Sequence, residues 1–239
     1  MISIHNPGRV AGLYYLLLIV VSPFFLLYIP GKLFVEGNVA ATVNNIAAHE
    51  LLFRFGIIVE LAGAMILILL TLAFYRLFAD IDRNLAVLVV ILGGVMPATI
   101  YFVGARCELA ALKILRDANS LSASDKPHQD ALAILFLRLH NSQITVSLAL
   151  AAAWLFPLAM LVYRSHFLPR FLGVWLAIGG AAYITLSATT LLWPQYRDRV
   201  FAYSQPAFFG EVALMLWLLI KGAKPPRASD AGSASPTSV

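Results

Sequence analysis

The chain has 239 residues, of which 61% are hydrophobic and only 12% are charged, and its formal net charge is +5. Soluble domains are nearer half apolar and a quarter charged, so this composition excludes a water-soluble globule and indicates an integral membrane protein. It also excludes nucleic-acid binding, which needs a basic face on a soluble fold. Because Cys107 is the single cysteine, the chain forms neither an internal disulfide nor a cysteine-based metal cluster.

Six apolar runs follow one another, and each approaches or exceeds the ~20 residues that cross a bilayer. The predicted spans are residues 11–29, 51–74, 85–103, 142–164, 171–193 and 206–220. Short loops connect most of them, so the predicted fold class is all-α, a six-span transmembrane helix bundle. Pro23 should kink the first span, and Pro127 opens the helix that leads into the fourth.

Residues 1–222 are predicted to form this transmembrane domain. Residues 223–239 are rich in Ser, Ala and Pro and are predicted to form a disordered tail, because they have little apolar surface to bury. Basic residues in the short turns, such as Arg83 and Arg170, favour a cytoplasmic position for that side of the membrane. Both termini lie on the same side as these turns and are therefore expected in the cytoplasm.

Two helical hairpins share a residue pattern. A Tyr-Arg pair, an Arg before the next span and a Gly pair within that span recur at Tyr75, Arg83 and Gly93, and at Tyr163, Arg170 and Gly179. The pattern predicts that spans two-three and four-five are duplicates in the same orientation. Chance similarity is the alternative, because Gly pairs and interfacial Tyr and Arg residues are common in membrane helices.

Glu60 and Glu211 are predicted to face one interior cavity. They lie ~12 and ~10 Å below the same edge of the membrane at ~1.5 Å per residue, and ionisable groups in spans usually turn inward and find partners. Arg106 and Arg138 are the nearest cations by depth, so at least one of them is expected at the cavity mouth. The candidate ligand-binding residues are Arg54, Glu60, Arg106, Arg138, His140, Asn141 and Glu211. A purely structural ion-pair cluster is the alternative.

The sequence offers little support for a metal centre or a catalytic motif. It has no His-x-x-x-His or His-Glu-x-x-His pattern, and four of the five histidines map to helix ends or loops, at His5, His49, His128 and His166. Zinc sites need three or four suitably spaced ligands. A Gly-rich phosphate loop and a Ser-centred elbow are also missing from the sequence. We therefore predict no metal ligand, no cofactor and no catalytic residue.

Spaced motifs along nearly the whole chain resemble a known family. They are RVAGLYY at residues 9–15, LFRFGI at 52–57, Leu139-His140, and the pair Gly210-Glu211 followed by LWLLIKG at 216–222. Together they resemble a bacterial integral-membrane family that is catalogued as domain of unknown function 4386. The resemblance implies a six-span protein of the bacterial inner (plasma) membrane and implies no activity or ligand.

Three functions remain open. The first is a non-enzymatic protein that binds a small molecule or a lipid headgroup in a polar cavity of the outer leaflet, as a transporter or sensor subunit. The second is an intramembrane lipid-modifying enzyme with Glu60 or Glu211 as general acid/base; it ranks lower because the sequence shows no partnered nucleophile. The third is a scaffold or accessory subunit with a membrane-protein partner.

Overall fold

The computed structural model describes residues 6–35, 37–117 and 126–223. These residues form α1 Pro7–Leu33, α2 Val39–Ala48, α3 Glu50–Phe78, α4 Arg83–Asp117, α5 Lys126–Arg164, α6 Arg170–Leu192 and α7 Pro194–Ile220. All except α2 are long and apolar enough to cross a membrane, and the described ranges contain no strand. The prediction of an all-α bundle with six spans is confirmed, and the chain is a multi-pass membrane protein.

The six spans pack in a closed ring in chain order. α1 packs against α3, and the contacts continue from α3 to α4, α5, α6 and α7, which packs back against α1. Three aromatic side chains fill part of the ring interior. The ring of Tyr15 meets that of Phe74 edge-on, with centroids 6.0 Å apart, and Trp154 lies 6.3 Å from Tyr15 and 6.4 Å from Phe74.

The two ends of the ring have separate apolar cores. One core includes Phe74, Leu155 and Leu172 and is called the terminal-side core, because it lies at the end of the ring where both ends of the described chain meet. The other, the loop-side core, is formed by Ile29, Leu33, Val43, Ile46, Phe53, Ile57, Ala105, Ala111, Leu112, Leu115, Ala133 and Leu137. The loop-side core explains why α4 and α5 extend well beyond the predicted spans, since their extensions bury an apolar face there.

Both ends of the described chain meet on one side of the ring, here called the terminal side. Asn6 Oδ1 accepts a hydrogen bond from Gly8 N at 3.0 Å, which caps α1, and another from Ala223 N at 3.1 Å. Ala223 is therefore part of the packed domain, although the sequence analysis assigned it to the tail. The rest of the predicted tail, residues 224–239, lies outside the described residues. That the terminal side faces the cytoplasm stays a prediction.

The turns of the two hairpins are joined on the same side. Arg164 Nη1 lies 3.1 Å from Asp82 Oδ2, and the rings of Phe78 and Phe167 stack with centroids 5.9 Å apart. These contacts link the α3–α4 turn to the α5–α6 turn. Whether the two hairpins arose by duplication stays a prediction.

The contact between α1 and α7 that closes the ring gives a testable prediction. A Cβ added to Gly12 would lie 2.8 Å from Leu219 N, whereas a Cβ added to Gly31 would have nothing within 4 Å. We expect Gly12→Ala to lower the thermal unfolding midpoint of the purified protein, because overpacking costs about 1–3 kcal/mol. Gly31→Ala, the matched control, should unfold at or above the wild-type temperature, since alanine favours helix by about 1 kcal/mol. Equal midpoints for the two variants would contradict this closure.

Candidate functional site

Four buried polar side chains meet inside the ring and are called here the His140 cluster. Its members are Glu60 from α3, Glu108 from α4, and His140 and Gln143 from α5, with exposed fractions of 2%, 6%, 8% and 8%. His140 and Gln143 are three residues apart and therefore share one face of α5. Gly104 makes room for Gln143 on α4, because a Cβ at that position would collide with the Gln143 amide.

The imidazole of His140 contacts both carboxylates. Its Nδ1 is 3.9 Å from Glu60 Oε2, and its Nε2 is 3.6 Å from Glu108 Oε1. Gln143 Nε2 donates a hydrogen bond of 2.8 Å to Glu60 Oε1. One nitrogen or oxygen atom from each of Glu60, Glu108 and His140 lies within 4.8 Å of the other two.

The His140 cluster leaves two polar atoms without partners. Glu108 Oε2 and Gln143 Oε1 are buried and accept no hydrogen bond from the described part of the chain. Nor does any lysine or arginine of that part form an ion pair with either carboxylate. Buried polar atoms in proteins are rarely left unpaired, so this arrangement has capacity to bind a further group.

A second group of polar side chains, the Glu211 cluster, lies on the other three spans. Tyr15 of α1 donates a hydrogen bond of 2.5 Å to Glu211 Oε2, and Tyr183 of α6 donates one of 3.1 Å to Glu211 Oε1. Glu211 itself is on α7 and is half-buried. Each carboxylate oxygen accepts up to two hydrogen bonds, so both oxygens keep capacity for a further donor.

A cavity of about 260 Å³, here called the internal cavity, is lined by residues from all six spans and is partly open to the outside. Its walls are mainly apolar, and its polar or aromatic lining residues are Tyr101, Gln143, Ser147, Trp154, Tyr183 and Glu211. Ser147 Oγ, like Gln143 Oε1, is buried and has no hydrogen-bonding partner among the described residues. Gln143 belongs both to this cavity and to the His140 cluster.

Comparison with known proteins identifies the family of this chain. A sequence profile of the family described as domain of unknown function 4386 matches residues 10–222. The chain belongs to this family. An uncharacterized protein of Archaeoglobus fulgidus is 39% identical over 70 residues, which are 29% of this chain and 40% of that protein. The match thus spans less than half of the archaeal protein. No solved structure matches the chain.

In this member of the family, the two glutamates have partners other than the predicted arginines. Glu211 lines the cavity, whereas Glu60 is not among the lining residues and is hydrogen-bonded to Gln143, which is. Arg106 and Arg138 are exposed, and neither forms an ion pair with a described carboxylate. A long arginine side chain near the end of a span can extend its charged group to water. The buried acids are therefore paired with amide, imidazole and phenol groups on neighbouring helices.

The other candidate residues lie elsewhere. Arg54 Nε is 2.7 Å from Glu50 Oε1 on the surface of α3. Arg138 and Asn141 line a separate groove of about 520 Å³ beside the segment between α1 and α2. Of the residues predicted from sequence, only Glu60, Glu211 and His140 therefore belong to the His140 cluster or the Glu211 cluster.

Sequence reasoning missed four residues of these clusters, namely Tyr15, Glu108, Gln143 and Tyr183. Glu108 lies on a stretch that alternates charged and apolar residues, and such a stretch is usually a solvated face. Two signals point to the cluster in retrospect: Gly104 lies one turn before Glu108, and His140 lies three residues before Gln143. The tyrosines carry no comparable signal, because tyrosine is common at the ends of spans.

The hydrogen bond between Tyr15 and Glu211 gives a second prediction. Tyr15→Phe keeps the ring that packs on Phe74 and removes one donor to the carboxylate. Interhelical hydrogen bonds in membranes contribute about 0.6 kcal/mol on average and up to about 1.7, so we expect a measurable loss of stability in denaturant titration in detergent. Tyr28→Phe is the control, since Tyr28 is 49% exposed. If both variants matched wild type, Tyr15 would not be a partner of Glu211.

Proposed function

We propose that the protein binds a small organic molecule with a positively charged head in the internal cavity. The observation that carries the proposal is the Glu211 carboxylate at the cavity wall, fixed by the hydroxyls of Tyr15 and Tyr183. A carboxylate with free acceptor capacity binds an ammonium group by charge-assisted hydrogen bonds. This chemistry is stronger inside a membrane protein than in water, because water does not compete for the charge.

The remaining walls suit the other parts of such a ligand. The rings of Trp154, Tyr101 and Tyr183 line the cavity, and aromatic faces attract cations. Leu18 and Leu67 offer apolar contact for a hydrocarbon body. The cavity, at about 260 Å³, is smaller than the ~300–1,000 Å³ typical of pockets for drug-sized ligands, so a compact ligand is favoured.

The unpaired polar atoms favour ligand binding over a purely structural role. A cluster that only locked the helices together would be expected to satisfy its own hydrogen bonds. Ser147 Oγ and Gln143 Oε1 instead have no partner among the described residues and both side chains line the cavity. Rotation of the Ser147 side chain would let its hydroxyl accept a hydrogen bond from the ligand, whereas Gln143 Oε1 lies against Gly104.

A free amine and an aminolipid headgroup such as ethanolamine both carry this ammonium group. Either molecule is a suitable ligand for a transporter or a sensor subunit. Binding of either one involves no covalent chemistry. The two sources differ in where the hydrocarbon body comes from, since an aminolipid reaches the cavity from the bilayer. An experiment in bilayers of defined composition distinguishes them.

The binding test uses n-hexylamine as the probe and n-hexanol as its neutral counterpart. Trp154 lines the cavity, so we expect hexylamine to change the tryptophan fluorescence of the purified protein saturably and hexanol to act more weakly. Glu211→Gln should weaken hexylamine binding by about tenfold or more, which is ~1.4 kcal/mol. Glu50→Gln, which changes a surface carboxylate, should leave it unaltered. Equal binding by the Glu211→Gln variant and wild type would contradict the proposal.

Two lipid compositions then separate the sources of the amine. Nanodiscs containing phosphatidylethanolamine should weaken the apparent hexylamine affinity if the lipid headgroup is the resident ligand, whereas nanodiscs of phosphatidylglycerol alone should not. Equal affinities in the two bilayers would identify a free amine. If the lipid headgroup is the resident ligand, native mass spectrometry should show bound phosphatidylethanolamine on wild type and not on the Glu211→Gln variant.

A second candidate is an intramembrane enzyme that modifies lipid, and the contact of His140 with Glu60 and Glu108 favours it. An imidazole beside carboxylates is an arrangement used in proton transfer. Lipid mass spectrometry of a deletion strain should then show one altered lipid class, restored by wild type and not by the Glu60→Gln variant. An unchanged lipid profile would exclude this candidate.

A further inference from the structure

The amine site leaves Glu60, Glu108 and His140 without a role. Glu60 and Glu108 place two carboxylates together inside the protein, and the described residues supply neither lysine nor arginine to pair with them. Buried charges in proteins are normally paired or coordinate a metal ion. His140 is the only described side chain with a basic nitrogen that contacts both carboxylates.

We infer that Glu60, Glu108 and His140 bind one divalent transition-metal ion. The three residues come from α3, α4 and α5, so the ion would join three spans. Their donor atoms lie within 4.8 Å of one another. Two donors on one tetrahedral Zn²⁺, each ~2.0–2.2 Å from the ion, are ~3.4 Å apart. The most distant pair of donor atoms therefore has to approach by up to about 1.4 Å, so the three side chains rotate inward when the ion binds.

An unpaired atom supports the site independently of the cluster's composition. Glu108 is only 6% exposed, its Oε1 lies beside His140 Nε2, and its Oε2 has no hydrogen-bonding partner among the described residues. A carboxylate oxygen in this state is a ready metal ligand. Gln143 supports the same geometry, because its Nε2 donates to Glu60 Oε1 at 2.8 Å and fixes the orientation of that carboxylate. Such outer hydrogen bonds are typical of metal sites.

The donor set indicates the class of ion. One imidazole nitrogen with two carboxylate oxygens suits Zn²⁺ or Mn²⁺. Ca²⁺ prefers six to eight oxygen ligands, and Mg²⁺ usually keeps several waters and carboxylate or phosphate ligands. Three protein ligands leave at least one position open on Zn²⁺, and sites of this kind bind water or another small ligand there. The metal site does not depend on the amine site and is tested separately.

The experiment measures metal binding by the full chain. The protein is purified in detergent with an affinity tag that contains no histidine, stripped with a chelator and titrated with Zn²⁺ and with Mn²⁺ by isothermal calorimetry. We expect one ion per chain for wild type with at least one of the two metals. Glu108→Gln and His140→Gln should each lower the affinity for that metal by at least about tenfold, since even supporting residues contribute about 10–100-fold.

Two controls separate this site from others. Glu211→Gln should keep full metal affinity, which distinguishes failure of the metal site from failure of the amine site. His128→Gln should also keep it, because His128 is an exposed histidine on the same helix. A loss in the His128→Gln variant as large as in His140→Gln would reveal a surface site and would overturn the assignment.

A further variant keeps the test informative if the ligand variants misfold. If Glu108→Gln or His140→Gln does not elute as wild type in gel filtration, Gln143→Leu is used, because it leaves all three ligands in place and should weaken binding by about 10–100-fold. Absence of a bound ion in folded wild-type protein would overturn the proposal. So would wild-type affinity in the folded ligand variants, or in Gln143→Leu where it replaces them. In either case Glu60 and Glu108 would be buried acids that share protons without a metal.

Discussion

A polar group between membrane helices must find its partners on neighbouring helices, because the hydrocarbon supplies none. This constraint organises the interior. Glu60 and Glu108 meet His140 and Gln143, which joins α3, α4 and α5. Glu211 meets Tyr15 and Tyr183, which joins α1, α6 and α7. Each cluster ties together three spans, and the two sets of three share no helix. Together they account for the whole ring.

The cavity lies where the two halves of the ring face one another, and its chemistry follows from that position. One wall carries Glu211 with its two phenol donors, and the opposite wall carries Gln143, whose amide also holds Glu60. Trp154 lines the cavity and packs against Tyr15 and Phe74 toward the terminal side. Gln143 is therefore the side chain that belongs both to the cavity wall and to the His140 cluster.

The sequence predicts the spans well because length and apolar composition determine them locally, and it finds Glu60, Glu211 and His140 because polar side chains at those depths are costly. It does not predict which groups pair. Distance along a helix gives the depth of a residue, but its direction around the helix depends on the packing order of the ring. Arg106 and Arg138 have suitable depth for the glutamates and yet are exposed. Tyr15 and Tyr183 become partners of Glu211 only because α1 and α6 both pack against α7.

Glu108 shows how tertiary structure overrides a reliable sequence pattern. Its neighbours alternate in polarity as on a solvated helix, but the loop-side core covers that face of α4. Leu112 of α4, Leu137 of α5 and Ile46 of α2 all belong to this core. The protein itself, rather than lipid, thus excludes water from the carboxylates at this depth. Gly104 completes the arrangement, since only a residue without a Cβ lets the Gln143 amide lie against α4. The burial of Glu108 and His140 therefore depends on α2 and on the extensions of α4 and α5 beyond the predicted spans 85–103 and 142–164.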